Sequence, residues 1–535
     1  MVNNKGNEIV VKTGKPEFDN FYALIRSFLE QDVMEVNIDG QNIRGYRSPD
    51  AKSIWIRDYS EIMRGMKYFE PDLKSTVSHF AATQAENGRI FDYFTTFPEK
   101  LPSERENWTK YVRVPVEADV EYRFIKAAFL AWQVTGDDAW LQKLLPKMEK
   151  ALSYIITHPW RWQAELGVVK RPYTIDTWDF AYTAGKYPWL QFQVTNDSFW
   201  GVMHGDNSGY YEAFRIMAHC YNYFGNKADA VKWLQRANDL KTAMNRVCWN
   251  GKFYTHFVKL TPVEIPGVNE SAQLSLSNPM DINRGVASHD MARSIINEYI
   301  KRGKSTGAFV EWFSIDPPFP SGIFGDEKLV AGAYINGGIM PLVGGELAKA
   351  AFDHGFETFG VDILKRYYNM ISQNRETYLW YFPDGRPSSV ETSTSPDATP
   401  TDGWGSSAML YGFVEGLAGV EDKQKLFQKV RLSPKWVAAG VDAAEVEINY
   451  ATSKTNLKYQ FQIKNDTIDI VVKAHHSEVD FHVMLPEKFL ALQVSLDGVL
   501  IPIENERVES SNYVNFSCLV RGTRKLQVQM QSIKL

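Results

Sequence analysis

Cysteine is scarce in this 535-residue sequence. Cys220, Cys248 and Cys518 lie far apart without CxxC or Cys/His spacing, so neither a disulfide framework nor a structural zinc site is indicated. Basic runs are also missing. With 59 Lys and Arg against 64 Asp and Glu, the formal net charge is −5, and no stripe of Lys or Arg could track phosphates, which argues against nucleic acid as a partner. No apolar run approaches the roughly 18 residues of a membrane helix. The opening MVNNKGNEIVVKTG has no basic region followed by an apolar stretch, so neither a membrane span nor a signal peptide is expected. The compartment stays open between the cytoplasm and an exported location reached with a signal since removed. GxSxG elbows, Walker lysine loops and HExxH pairs are absent, which removes the usual signs of serine hydrolases, P-loop enzymes and zincins.

What is present is globular: 44% hydrophobic and 23% charged residues leave no case for disorder. Of 15 Trp, 14 precede residue 420, and 26 Tyr and 31 Phe join them. Such enrichment suits both a ligand-stacking pocket and a large helical core. From about residue 17 to 419 apolar residues recur at helical spacing. Tyr122, Ile125, Phe129 and Trp132 share one face, Gly136 ends that helix and Asp137 or Asp138 can cap the next. The same αα-hairpin pattern returns over residues 208–247 and 337–370, with weaker copies near Tyr59, Ala287 and Ser406. Between them lie long segments rich in Trp, Pro, Gly and Asp, and long loops at one end of a helical barrel commonly build a site. The economical architecture is a toroid of roughly five or six hairpins over residues 1–420, with inner and outer rings of helices, making the chain mainly α; a superhelical array is the alternative.

After Gly419 the texture changes to short, alternating, β-branched segments with turn signals at Lys464-Asn465-Asp466 and Asp497-Gly498. Residues 421–535 are expected to form a linker and a small C-terminal antiparallel β-sandwich.

Four clusters in the helical region combine acids, aromatics and glycines. In Trp55-Ile56-Arg57-Asp58, Arg57 and Asp58 can hold vicinal sugar hydroxyls or form an ion pair. In Asp176-Thr177-Trp178-Asp179-Phe180, a carboxyl beside aromatics can wait protonated as a general acid, although a loop Asp often serves as a cap. Tyr334-Ile335-Asn336-Gly337-Gly338 allows close backbone approach with Asn336 as donor and acceptor. Glu391 precedes a small-residue loop and Gly403-Trp404-Gly405-Ser406. His204, at the start of a hairpin, is either a sugar contact or a cap.

In this order the clusters resemble the (α/α)6-barrel, six-hairpin glycoside hydrolases, a group including trehalases, processing α-glucosidases and glucoamylases. Trp55 to Asp58 resembles their Trp-x-Arg-Asp sugar-binding motif. Trp178-Asp179-Phe180 is similar to the Gly-Trp-Asp-Phe segment that carries the general acid, and Asp206-Asn207 to the Asp-Leu-Asn opening the next hairpin. Glu391 matches the position of the general base. The resemblance implies an exo-acting, inverting glycosidase without a cofactor or metal, acting on an oligosaccharide or glycoside, with α-linked glucose favoured. It implies Asp179 as acid and Glu391 as base, with Trp55, Arg57, Asp58, Trp178, His204, Asn336 and Trp404 around the sugar. Thr177 stands where the motif has Gly, and Asp176 is a rival acid. Other sugar chemistries on such barrels (phosphorolysis, epimerisation, action on uronic acids) and plain carbohydrate binding are the alternatives, and the oligomeric state is left open.

Overall fold

The computed structural model describes residues 8–38, 40–49, 51, 53–95, 111–393 and 400–532. Among them twelve α-helices have eight residues or more: α1 (Phe21–Leu29), α2 (Ile56–Met66), α3 (Ser75–Ala82), α4 (Val120–Thr135), α5 (Asp138–Thr157), α6 (His204–Tyr223), α7 (Lys227–Cys248), α8 (Ser277–Arg284), α9 (His289–Ser305), α10 (Pro341–Asp353), α11 (Glu357–Asn374) and α12 (Gly403–Tyr411). None is long and apolar enough to cross a membrane.

The packing order closes a ring. Helix α2 lies against α4, α4 against α6, α6 against α8, α8 against α10, α10 against α12, and α12 returns to α2. Helices α5, α7, α9 and α11 each pack on the inner helix before them, and α1 packs on α12. The hairpin turns follow local chemistry. Gly136 takes the left-handed conformation (φ 69°) and donates its N–H to the Trp132 carbonyl, and the Asp137 carboxylate accepts from the Trp140 N–H (3.0 Å), ending α4 and starting α5. Gly345 lets α10 and α12 approach closely: a Cβ there would stand 2.2 Å from the Ala408 carbonyl carbon.

In the chain one helix (α3, α5, α7, α9 or α11) runs between each inner helix and the next, so all six inner helices begin at the same end. Their N-terminal turns and the preceding loops therefore converge, and positive helix ends favour carboxylates there. Elsewhere in the ring a cavity is lined by members of ion pairs, among them Lys67 with Glu415 (3.0 Å), Lys126 with Glu212 (3.2 Å) and Arg64 with Glu346.

Nine C-terminal strands and one N-terminal strand form a single ten-stranded sheet. The N-terminal strand β1 (Ile9–Lys12) pairs antiparallel with β4 (Ala443–Tyr450), so the start of the chain belongs with the sheet and not with the helices. Strands β2 (Val420–Asp422) and β3 (Lys429–Leu432) lead into it, and β3 runs parallel to β6 (Thr467–Leu485), the one parallel pair in the sheet. A bulge between Ala474 and Ser477 shifts the buried positions of β6 from even to odd numbers while the facing strand β10 (Ser511–Ser532) stays even-numbered beyond it, so one face stays apolar. These strands correct the expectation of a mainly α chain: among the described residues helix accounts for 37% and strand for 27%.

Candidate active site

The N-terminal turn of α2 holds the first part of the site. Arg57, buried, directs Nε and Nη2 to the two Asp119 carboxylate oxygens (2.9 Å each) at the start of α4, and Nη2 also to the Thr177 carbonyl (2.7 Å) and Glu117 (3.1 Å). Its Nη1 takes no part in these bonds. Burial alone would weaken the guanidinium's hold on its proton, but Asp119, Glu117 and Asp179 keep it firmly charged. Asp58 accepts from Arg47 Nε (3.0 Å), and the Arg47 guanidinium lies over the Trp55 ring (5.3 Å), which stacks on Tyr93 (4.1 Å).

The Asp179 loop meets this turn. Arg57 lies 5.6 Å from the Trp178 ring, and Trp178 meets Tyr334 (5.1 Å) and Trp404 (5.9 Å) edge to face while its indole N–H donates to the Tyr334 hydroxyl (3.1 Å). Asp179 is half-buried, and its charge acts on both Arg57 and Tyr334. Trp55, Arg57, Asp58, Trp178, Asp179 and Trp404 thus gather at one end of the toroid from three distant stretches of chain. The indole N–H groups of Trp55 and Trp404 are buried without an acceptor among the described residues.

Three sequence-derived candidates belong to the scaffold instead. Asn336 is buried, with its amide donating to the Phe319 and Leu329 carbonyls (3.2 and 3.3 Å) and its oxygen accepting from the Phe319 N–H (2.7 Å). Every polar atom it could offer a sugar is used to fasten a loop. His204 is buried completely, with Nδ1 on Asp281 (2.5 Å) and Nε2 on the Ser275 hydroxyl (3.0 Å). Asp176, the rival acid, is buried with φ 48° and accepts from Ser277 Oγ (2.5 Å), Ser277 N (3.2 Å) and Thr177 N (2.8 Å). Burial pushes its pKa up, but His204 and the Ser277 and Ser275 hydroxyls outweigh that and hold it below the ordinary carboxylate range, the wrong state for an acid.

Glu391 is exposed, on a turn just before residues 394–399, which lie outside the described residues. Hydrogen bonding from Ser389 and from its own backbone, with Lys328 nearby, keeps its carboxyl below the usual range. Ser388, three residues before Glu391, donates its N–H to the Trp380 carbonyl (3.0 Å), and the Trp380 ring is 6.4 Å from Tyr334.

Three further residues border this cluster: Arg47, which no motif marked, and Tyr334 and Asp402, which lie in the marked stretches but were not singled out. Tyr334 takes the place expected of Asn336, two residues away in the same turn. Asp402 caps α12, accepting from the Trp404 N–H (2.5 Å), a role the Asp-Gly-Trp order could have signalled. Burial and the negative charge of Asp58 push its pKa well above the carboxylate range. A carboxyl raised in the folded state stabilises the fold at low pH and loses that contribution as pH climbs toward its raised pKa. Asp402→Asn, which can still cap, is therefore expected to gain stability relative to the parent as pH rises from 4 to 8. Melting temperatures of the two proteins across that range check it, and parallel curves contradict it. Among the described residues no group of three or more His, Cys, Asp or Glu is placed to hold a metal.

No protein-family model matches the sequence, and no curated protein does. Solved structures do resemble the fold. An α-L-rhamnosidase from Dictyoglumus thermophilum aligns over 98% of this chain and 50% of its own, with TM-score 0.59 and 13% identity. A Streptomyces avermitilis α-L-rhamnosidase complexed with L-rhamnose covers 98% of this chain and 42% of its own, with TM-score 0.59 and 11% identity. A GH63 mannosylglycerate hydrolase from Thermus thermophilus in complex with glucose covers 74% of this chain and 99% of its own, with TM-score 0.51 and 14% identity. The chain spans about half the length of the rhamnosidases it matches. The chain shares its fold with these rhamnosidases and with the mannosylglycerate hydrolase. These neighbours are rhamnosidases and a mannosylglycerate hydrolase, and a specific likeness to trehalases or glucoamylases rests on the sequence motifs alone.

Proposed function

We propose that the protein is an exo-acting glycoside hydrolase that removes a terminal sugar with inversion, Asp179 protonating the leaving oxygen and Glu391 activating water from the opposite face. The observation that carries this reading is the gathering of Asp179 with Arg57, Asp58, Trp178, Tyr334 and Trp404 where the inner helices begin. Arg57 Nη1 takes no part in the bonds to Asp119, Thr177 and Glu117, Asp58 has an acceptor oxygen besides the one on Arg47, and the aromatic rings present the faces and edges on which a pyranose stacks. Asp179 sits among aromatics and partly out of water, as an acid should, and Glu391 is held ionised, as a base should be. The reaction is proton transfer and water attack by these side chains. α-Linked glucose is the favoured glycone by the trehalase-like motifs, while the structural neighbours direct attention equally to α-L-rhamnosides and mannosyl derivatives.

A screen of aryl glycosides and short α- and β-linked oligosaccharides, including rhamnosides and mannosylglycerate, tests the proposal. Release of a monosaccharide from the non-reducing end supports it; internal cleavage or no release by intact, folded protein opposes it. The open position of Glu391 favours one second reading, a carbohydrate-binding protein without turnover. Calorimetric binding of an oligosaccharide that is never cleaved would decide for it.

A further inference from the structure

The segment after Asp179 turns back at once. Ala181 donates its N–H to the Gln191 carbonyl (2.7 Å) across a short antiparallel bridge, and the connecting stretch carries left-handed Ala184 (φ 53°) and Gly185 (φ 77°). This hairpin is well anchored. Tyr182 donates its N–H to the Tyr173 carbonyl (2.8 Å), and the rings of Phe180 and Tyr182 meet Phe324 edge to face at 5.3 and 5.8 Å. The returning arm presses on the next loop: a Cβ on Gly325 would stand 2.5 Å from the Trp189 carbonyl oxygen. Yet the Trp189 residue is 55% exposed, the most open tryptophan among the described residues, with Tyr187 beside it at 5.9 Å. A fixed backbone holding an indole in water leaves a large apolar face without a partner from its own chain.

We infer that Trp189, supported by Tyr187, is the platform for the leaving-group half of the substrate, and that this half is a saccharide with at least one pyranose ring, not an acyclic group. The inference rests on Asp179 being the acid. An acid delivers its proton to the glycosidic oxygen, so the leaving group lies on the acid's side, where this hairpin begins. Residues 179–181 and 189–191 each span at most about 7 Å and the paired strands lie about 5 Å apart, which keeps the two Cα atoms within about 19 Å. Antiparallel register sets Trp189 across from Thr183, two residues toward the turn from the Ala181–Gln191 bridge, and Asp179 two residues on its other side, so about 13 Å of strand separates them, a length that one or two sugar rings and a side chain span. A pyranose lays its C–H face on an indole and leaves its hydroxyls in water.

The test compares α-linked disaccharides and p-nitrophenyl glycosides of D-glucose, D-mannose and L-rhamnose with the glycosyl fluorides of the same sugars, whose leaving group has no ring. Trp189→Ala is expected to raise KM and lower kcat/KM about tenfold on the ring-bearing substrates, while the fluorides stay within about twofold. Trp189→Phe should restore most of the loss, and Trp160→Ala, at another exposed tryptophan, should leave both classes unchanged. Calorimetry of the same glycosides with the Asp179→Asn protein, with and without Trp189→Ala, should show the same loss in affinity. Equal effects on both substrate classes, no effect on either, or a change of oligomeric state in Trp189→Ala would overturn the inference. If Asp179→Asn abolishes cleavage while Trp189→Ala treats both classes alike, this inference alone falls. If the parent protein neither binds nor cleaves any member of the panel, the glycosidase reading falls with it.

Discussion

Asp179→Asn should lower kcat by at least about a hundredfold on a substrate with a poor leaving group, the lower end of what a positioned general acid supplies. The amide keeps the shape of the side chain, and a melting curve of the variant checks that a kinetic loss is not a loss of fold. The loss must depend on the leaving group. A sugar alkoxide needs the proton badly and a fluoride or dinitrophenolate hardly at all, so the activated substrate should retain most of its turnover. If Asp176→Asn abolished turnover and Asp179→Asn did not, the acid would lie three residues upstream. That outcome is disfavoured because Asp176 is enclosed by Ser277, Ser275 and Thr177 and held ionised.

Glu391→Gln should lower kcat by at least a comparable factor of about a hundred, with no dependence on the leaving group. A base that activates water is needed whatever leaves, so fluoride and disaccharide hydrolysis should suffer alike. Because Glu391 is exposed and caps nothing, the variant should fold normally, which makes the kinetic comparison clean. Its pH profile should separate the roles: the parent loses kcat/KM on the acid side when Glu391 takes a proton, and Glu391→Gln should lose that limb. An unchanged acid limb would assign it to another carboxyl, with Asp402, buried beside Asp58, the first to examine.

The αα-hairpins were legible in the sequence where a hairpin has one wet face and marked ends. Helices α4 and α5 show this, with Gly136 and Asp137 writing both boundaries. Helix α2 was harder, because all eleven of its residues are buried and Arg57, Asp58, Glu61 and Arg64 sit inward as ion pairs, which blurs any apolar stripe. Strand β1 gives no local sign that its partner lies more than 400 residues away. In the site, Trp55, Arg57, Asp58, Trp178, Asp179 and Trp404 stood out because acids, aromatics and glycines cluster there in short stretches. Asn336 and His204 misled for a related reason: a polar residue in a tight loop before a helix reads the same whether it faces a ligand or fastens the loop. Arg47 had no motif at all, since only the fold carries it to Asp58 and Trp55.

The most direct test of the central claim is the configuration of the sugar first released. Proton NMR of the reaction mixture, recorded before mutarotation, follows the anomeric signal of the product from whichever glycoside is turned over fastest. Water activated by Glu391 on the face opposite the Asp179 proton gives the anomer of inverted configuration from the first spectrum onward. Product that first appears with the substrate's own configuration would mean a covalent glycosyl intermediate and two carboxyls about 5 Å apart, and would contradict the assignment of Asp179 and Glu391 as an inverting pair.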